Sequence, residues 1–258
     1  MNYRTILVDT DNGVATIRLN RPAQMNSLNA DMRGELTHAL RAAGKTERAI
    51  VLTGTGRGFC AGQDLGDVGK LGQVDLEQTL TEEYGPLLAA LSDCPVPLVA
   101  AVNGMAAGGG ANIAFAADIC IAAHSASFLQ AFAKIGLIPD CGGTYWLPRR
   151  VGMARALGLS MLAEPISAEQ AANWGLIWEA VPDGDLQVRA REIAGKLAKG
   201  PTAAYARIKT ALRESLGNGL DEQLALEARL QGEAGKTHDF REGVMAFLEK
   251  RPAMFRGE

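Results

Sequence analysis

Pro97-Leu98-Val99-Ala100-Ala101-Val102-Asn103-Gly104-Met105-Ala106-Ala107-Gly108-Gly109-Gly110-Ala111-Asn112 decides the fold class. Leu98–Val102 is apolar without alternation, the pattern of a strand covered on both faces. A glycine-bearing turn follows, Ala111–Ala117 reads as a helix, and Ile119-Cys120-Ile121-Ala122 is a second buried strand. Strand, turn, helix and strand in that order require a crossover connection, so the chain is α/β with parallel pairing. The apolar stretch from Leu98 to Ala123 is broken by Asn103, the glycine run, Asn112 and Asp118, which excludes a membrane-spanning helix there.

Working outward, Thr5–Asp9 and Val14–Asn20 are β-branched runs around Asp11-Asn12-Gly13, a hairpin signal. Asn29 or Ser27 caps a helix in which Met32, Leu36 and Leu40 fall on one face. Ala49–Thr53 is a short buried strand. Gly66–Asp75 is glycine-rich and reads as a mobile loop, and Leu76–Ser92 reads as a helix kinked or interrupted at Gly85-Pro86. Helices are expected at Ala154–Met161, Ala168–Trp174 and Leu186–Ala198, with no strand after about Val181. Beyond Lys199-Gly200-Pro201 the spacing gives helices at Thr202–Glu214, Leu220–Ala234 and His238–Glu249. Residues 1–200 are thus expected to form an α/β core. Residues 201–258 form a helical appendage that must pack on the core or on a neighbour, because alone it buries little.

The 258 residues suit one large domain. A net charge of −3 supplies no global attraction to nucleic acid or anionic membrane. Cys60, Cys94, Cys120 and Cys141 lack metal-type or disulfide spacing and read as reduced thiols. The opening Met1-Asn2-Tyr3-Arg4-Thr5 has no apolar leader segment, so the expected location is cytoplasmic.

Three segments carry candidate chemistry. Gly108-Gly109-Gly110 opens a helix after a strand. It serves either close helix–sheet packing or a ligand gripped by bare main-chain N–H groups. Phe59-Cys60-Ala61-Gly62-Gln63-Asp64 reads as a loop with Gly62 at positive φ and Asp64 capping a turn. Ile138-Pro139-Asp140-Cys141-Gly142-Gly143-Thr144 places Asp140 either as the cap of a helix beginning near Thr144 or, facing an apolar pocket, as a base with a raised pKa.

In this order, these segments resemble the crotonase (enoyl-CoA hydratase/isomerase) superfamily. Leu19-Asn20-Arg21-Pro22 with Asn26-Ser27-Leu28 is similar to its N-terminal signature. Glu242–Arg251 is similar to its C-terminal one. The resemblance implies a spiral of stacked ββα units and a C-terminal helical region that trimerises, giving a homotrimer or a hexamer. It implies an acyl-CoA thioester as substrate, with coenzyme A part of that substrate, no separate cofactor and no metal. It implies main-chain N–H groups of Gln63 and Gly109 as an oxyanion hole. Ala61, Gln63, Asp64, Leu65 and Gly108 lie about the CoA, with Asp64 a cap rather than a catalytic group. Phe247 and Lys250 match positions that touch CoA, from a neighbouring subunit.

The two glutamates that hold water in hydratases of this superfamily correspond here to Asn112 and Phe132. An amide is no base near neutral pH, and a phenyl ring holds no water. The remaining carboxylate, Asp140, stands where the isomerases carry an acid, with Phe132 as an apolar wall of the acyl pocket. Glu164 is a further candidate for that wall, and Arg149 and Arg150 read as a solvated face or a subunit salt bridge. The segment is most similar to the isomerase branch that converts 2-(1,2-epoxy-1,2-dihydrophenyl)acetyl-CoA to oxepin-CoA. Alternatives are a Δ3,Δ2-enoyl-CoA isomerase or a hydratase-like enzyme, and, in a different class, a catalytically weak acyl-CoA-binding partner.

Overall fold

A computed structural model describes residues 3–64, 66 and 75–258. Strands β1 (Ile6–Asp11) and β2 (Val14–Leu19) form the expected hairpin. Its turn has positive φ at both Asn12 (50°) and Gly13 (76°), as a two-residue primed turn requires. Helix α1 (Ala30–Thr46) starts at Asn29, whose side chain accepts the Met32 N–H at 3.0 Å. Its apolar face buries Met32, Leu36 and Leu40 in the core.

Strand β3 (Ala49–Gly54) is followed by β4 (Gly58–Cys60). Next come α2 (Leu76–Thr79), a π turn over Leu80–Tyr84 and α3 (Gly85–Ser92). The expected break at Gly85-Pro86 is absorbed differently. The widened π turn, closed by Gly85 N–H to Leu80 O, puts Pro86 in the first turn of α3, where its missing donor costs nothing.

The motif then repeats. Strands β5 (Leu98–Val102) and β6 (Met105–Ala107) precede α4 (Gly109–Ala116). Strands β7 (Ile119–Ala123) and β8 (Ser127–Leu129) precede a 3-10 turn at Ala131–Ile135 and α5 (Gly143–Leu162). The chain continues through β9 (Ile166–Ser167), α6 (Ala168–Asn173), β10 (Glu179–Val181) and α7 (Leu186–Ala198).

One strand of each repeat enters a six-stranded sheet of order β1-β2-β3-β5-β7-β10, parallel apart from the first hairpin. The other enters a four-stranded sheet of order β4-β6-β8-β9. This is the spiral of ββα units that the resemblance implied. The strands of the small sheet were not legible from periodicity, because two or three residues are too few for alternation to show. Helix α5 starts earlier than the expected Ala154. Gly152 (φ 76°, ψ 166°) kinks it and Pro148 lies within it, so its first half carries no helical signal.

The tail comprises α8 (Thr202–Glu214), α9 (Leu220–Ala234) and α10 (His238–Glu249), as the spacing predicted. It is anchored to the core by charge. Asp118 lies beside β5, where its carboxylate accepts the Leu98 N–H, and it pairs with Lys209 (2.7 Å) and Arg213 (2.8 Å) of α8. Lys209 also donates to the carbonyls of Cys94 and Val96. Among the described residues no helix is long and apolar enough to cross a membrane.

Asn26 pins the entry to this spiral. Wholly buried, it accepts the Arg21 N–H at 2.8 Å and donates to the carbonyls of Thr55 and Gly58, each at 2.9 Å. Asn26→Ala strips the Arg21 N–H and the Thr55 carbonyl of partners, leaves the Gly58 carbonyl only its 3.3 Å bond from Asn103, and should cost about 2–4 kcal/mol in urea unfolding. A loss below about 0.5 kcal/mol would show that Asn26 is not the pin.

Candidate active site

The turn at residues 61–64 hangs on the N-terminal segment. Leu28 N–H donates to Gly62 O at 2.8 Å, Asp64 N–H to Leu28 O at 3.2 Å, and Ala61 N–H to Met25 O at 3.0 Å. This short parallel bridge engages the neighbours of Gln63 and passes over the Gln63 N–H. Asp64 closes the turn: one carboxylate oxygen accepts the Gly66 N–H at 2.9 Å and the other pairs with Arg21 at 2.6 Å. Burial pushes this carboxyl upward, but the Gly66 and Arg21 partners outweigh it and hold the group below the usual carboxylate range. Both oxygens are thus committed to bracing the loop. The same Arg21 donates to Ser27 O at 2.6 Å, so the Asn-Arg-Pro and Asn-Ser-Leu motifs work as the frame of this turn.

The second turn lies directly against the first. A Cβ placed on Gly62 (φ 90°) would sit 2.9 Å from the Ala107 carbonyl oxygen and 3.4 Å from the Gly109 nitrogen. Gly109 is the first residue of α4, so its N–H has no acceptor within the helix. Gly108 (φ 53°, ψ −129°) swings the chain into that helix, with the buried Phe132 ring packed over it. Gly110 is pressed against Cys60, whose thiol burial pushes up to about 12.

Asp140 does not cap α5. That role falls to Gly142, which is in the left-handed region (φ 79°) and makes no side-chain cap bond. The carboxylate of Asp140 points instead toward the glycines. Its Oδ1 is buried without a hydrogen-bond partner and lies 3.5 Å from the place a Gly109 Cβ would take. Burial raises its pKa, offset only in part by the adjacent Cys141 thiol. Cys141, buried and at φ 49°, packs its Sγ against Gly109 from the same side. Asn112, which the resemblance set at a hydratase glutamate position, is wholly buried. Among the described residues no cluster of histidine, cysteine or carboxylate groups could hold a metal ion.

Tyr84 was not foreseen. It is 1 % exposed on the π turn, its hydroxyl lacks a partner, and its ring lies under Arg33 at 4.9 Å. Desolvation raises its pKa first, then proximity to Cys141. The one available signal was its place beside Gly85-Pro86, since π turns gather at functional sites.

Other expected positions lie apart. Leu65 falls outside the described residues, as does most of the Gly66–Asp75 segment. Phe247 is 83 % exposed in an open groove with Pro201, Ala204, Val244 and Phe255, and Lys250 ends α10 as an exposed left-handed cap. Glu164 is exposed. Arg150 is not a solvated residue: it donates to the carbonyls of Leu176, Phe115 and Ala117, tying α5 to the end of α4.

A family model described as enoyl-CoA hydratase/isomerase matches residues 9–258. The chain belongs to this family. A "Probable enoyl-CoA hydratase" of Rhodobacter capsulatus is 60 % identical over the full length of both chains. The 1,2-epoxyphenylacetyl-CoA isomerase of Escherichia coli is 48 % identical over 98 % of each. Among solved structures, an enoyl-CoA hydratase from Bacillus anthracis superposes with a TM-score of 0.94 at 34 % identity, covering 99 % of this chain and all of the other. The crotonase fold and an enzyme of the hydratase/isomerase family are therefore shown.

The raised pKa of Asp140 carries a stability consequence. A carboxyl whose folded pKa exceeds its unfolded value opposes folding as pH rises, because the unfolded state ionises first. Asp140→Asn should therefore unfold at a higher temperature than wild type at pH 7. The gap should close on acidification through the unfolded aspartate range, about 3.9. A gap between variant and wild type no larger at pH 7 than at pH 3 would mean that the carboxyl meets water freely.

Proposed function

We propose that this enzyme is a CoA-thioester isomerase in which Asp140 alone moves the proton. The observation that carries the reading is the Asp140 carboxylate beside Gly109, its Oδ1 buried without a hydrogen-bond partner, with no second carboxyl at the positions of Asn112 and Phe132. Asp140 takes the proton from C2 of the acyl group. The electron pair moves into the thioester carbonyl, whose oxygen accepts from the N–H groups of Gln63 and Gly109. The protonated Asp140 then returns the proton further along the conjugated system, and the thioester carbonyl re-forms. One such main-chain donor is typically worth about 3–4 kcal/mol of transition-state stabilisation. Ala61, Gly108 and the amide of Gln63 line the thioester approach, and Phe132 keeps water from the carboxyl.

The physiological substrate in this reading is an epoxidised phenylacetyl-CoA, opened to an oxepin thioester as proton loss at C2 drives ring expansion. The relative from Escherichia coli named for that isomerisation supports the choice. The relative from Rhodobacter capsulatus favours hydration, against which stand the amide and the phenyl ring at the two water-holding positions. We also read the exposed apolar residues Ile138 (77 %), Met161 (70 %) and Leu162 (68 %) as contacts with further copies of the chain.

Wild type should isomerise 3-enoyl-CoA and the ring epoxide thioester, while hydrating crotonyl-CoA slowly. Asp140→Asn should lose about 10²–10⁴-fold in kcat while still binding the thioester. Equal turnover by the two proteins would sink the assignment, and fast crotonyl-CoA hydration would favour the hydratase. Light scattering should give a trimer or hexamer of the 27.2 kDa chain, and a monomer at micromolar concentration would remove the subunit contact.

A further inference from the structure

Asn112 is buried on the second turn of α4, and both ends of its amide are used. Its Nδ2 donates to the main-chain carbonyl oxygen of Asp140 at 2.7 Å, and its Oδ1 accepts from Gln130 Nε2 at 2.9 Å. Gln130 is itself 3 % exposed at the end of β8, and its own Oε1 has no partner. The Asp140 carbonyl takes a second bond from the Gly143 N–H at 2.8 Å. This tight turn needs Cys141 in the left-handed region and a glycine at 143, because a Cβ there would collide with the Asn112 amide. Pro139 limits the chain just upstream. The side chains of the Gln130–Asn112 pair thus grip the backbone of the one residue whose carboxylate faces the two glycine turns.

We infer that Asn112, held by Gln130, is a positioning residue that fixes the direction of the Asp140 side chain, and this rests on the reading of Asp140 as the acid/base. The amide supplies a donor to a carbonyl, which a carboxylate at position 112 cannot do near neutral pH. A glutamate there would set its charge against that carbonyl, so Asn112→Glu does not restore hydration. Without the grip, the turn relaxes and the Asp140 carboxyl reaches solvent. The titratable and charged groups around it are Cys141 on its own turn, Cys60 at the end of β4, Tyr84 on the π turn and Arg33 on α1. None is altered by the substitution.

The test uses the full-length enzyme with carbon-labelled aspartate, following the Asp140 carboxyl by NMR as pH is changed, alongside isomerase kinetics on 3-enoyl-CoA. In Asn112→Ala the Asp140 midpoint should fall toward that of an ordinary aspartate. The kcat should drop about 10- to 100-fold, as expected of a reacting group displaced by about 1 Å, and KM should stay within about threefold. Gln130→Met should move both in the same direction by less, and it stands in if Asn112→Ala fails to fold. A midpoint unchanged in the folded variant overturns the positioning role whatever the kinetics. A midpoint that falls in a protein whose wild type shows no isomerase turnover keeps the positioning role and removes the functional reading.

Discussion

The close approach of two glycine turns is the constraint on which the rest of the site depends. Gly62 comes within contact of Ala107 and Gly109 only because it carries no β-carbon, Gly109 leaves room for Cys141 in the same way, and Gly110 seats on Cys60. The two sheets are the means of bringing them there. In the pairs β3–β4, β5–β6 and β7–β8 the first strand joins the large sheet and the second the small one, so the residues leaving β4 and β6 emerge side by side. The parallel register of those short strands fixes which amides face the same space. A side chain at Gly62 would push the two turns apart, and one at Gly109 would displace Cys141, before any ligand arrived.

Charge is handled in opposite ways at the two acids of this region. Asp64 is surrounded by donors and stays ionised, so it serves as a brace. Asp140 has an oxygen with no donor at all and an apolar wall nearby, so its charge is disfavoured. That difference follows from position: one carboxyl sits on a loop framed by Arg21, the other on a turn with no cation beside it and burial as the largest influence.

Much of this was legible in the sequence. Helices α7 to α10 announce themselves by apolar spacing, and the hairpin by Asn12-Gly13. The ordered glycine motifs marked the two turns and the Asp140 segment that the fold brings together, because conformations open to glycine, and a proline beside an acid, leave a mark in the sequence. The strands β4, β6 and β8 left none, being too short for a period. Tyr84 and Gln130 were equally invisible: each is an ordinary core residue by pattern, and only the orphaned hydroxyl and the amide-to-amide bond show otherwise. Arg150 misled for a related reason, since an arginine that satisfies three carbonyls looks like any surface cation until its partners are known.

The attachment of α8 to the core reaches beyond packing. Asp118 sits beside β5 with little water about it, and both cations that pair directly with it among the described residues, Lys209 and Arg213, come from the tail. Excising the last three helices would strand a bare negative charge at the base of the large sheet and free the Cys94 and Val96 carbonyls that Lys209 satisfies. The spiral is therefore not a transferable module that could be borrowed without its helical extension. The two must be inherited, and must fold, as one piece.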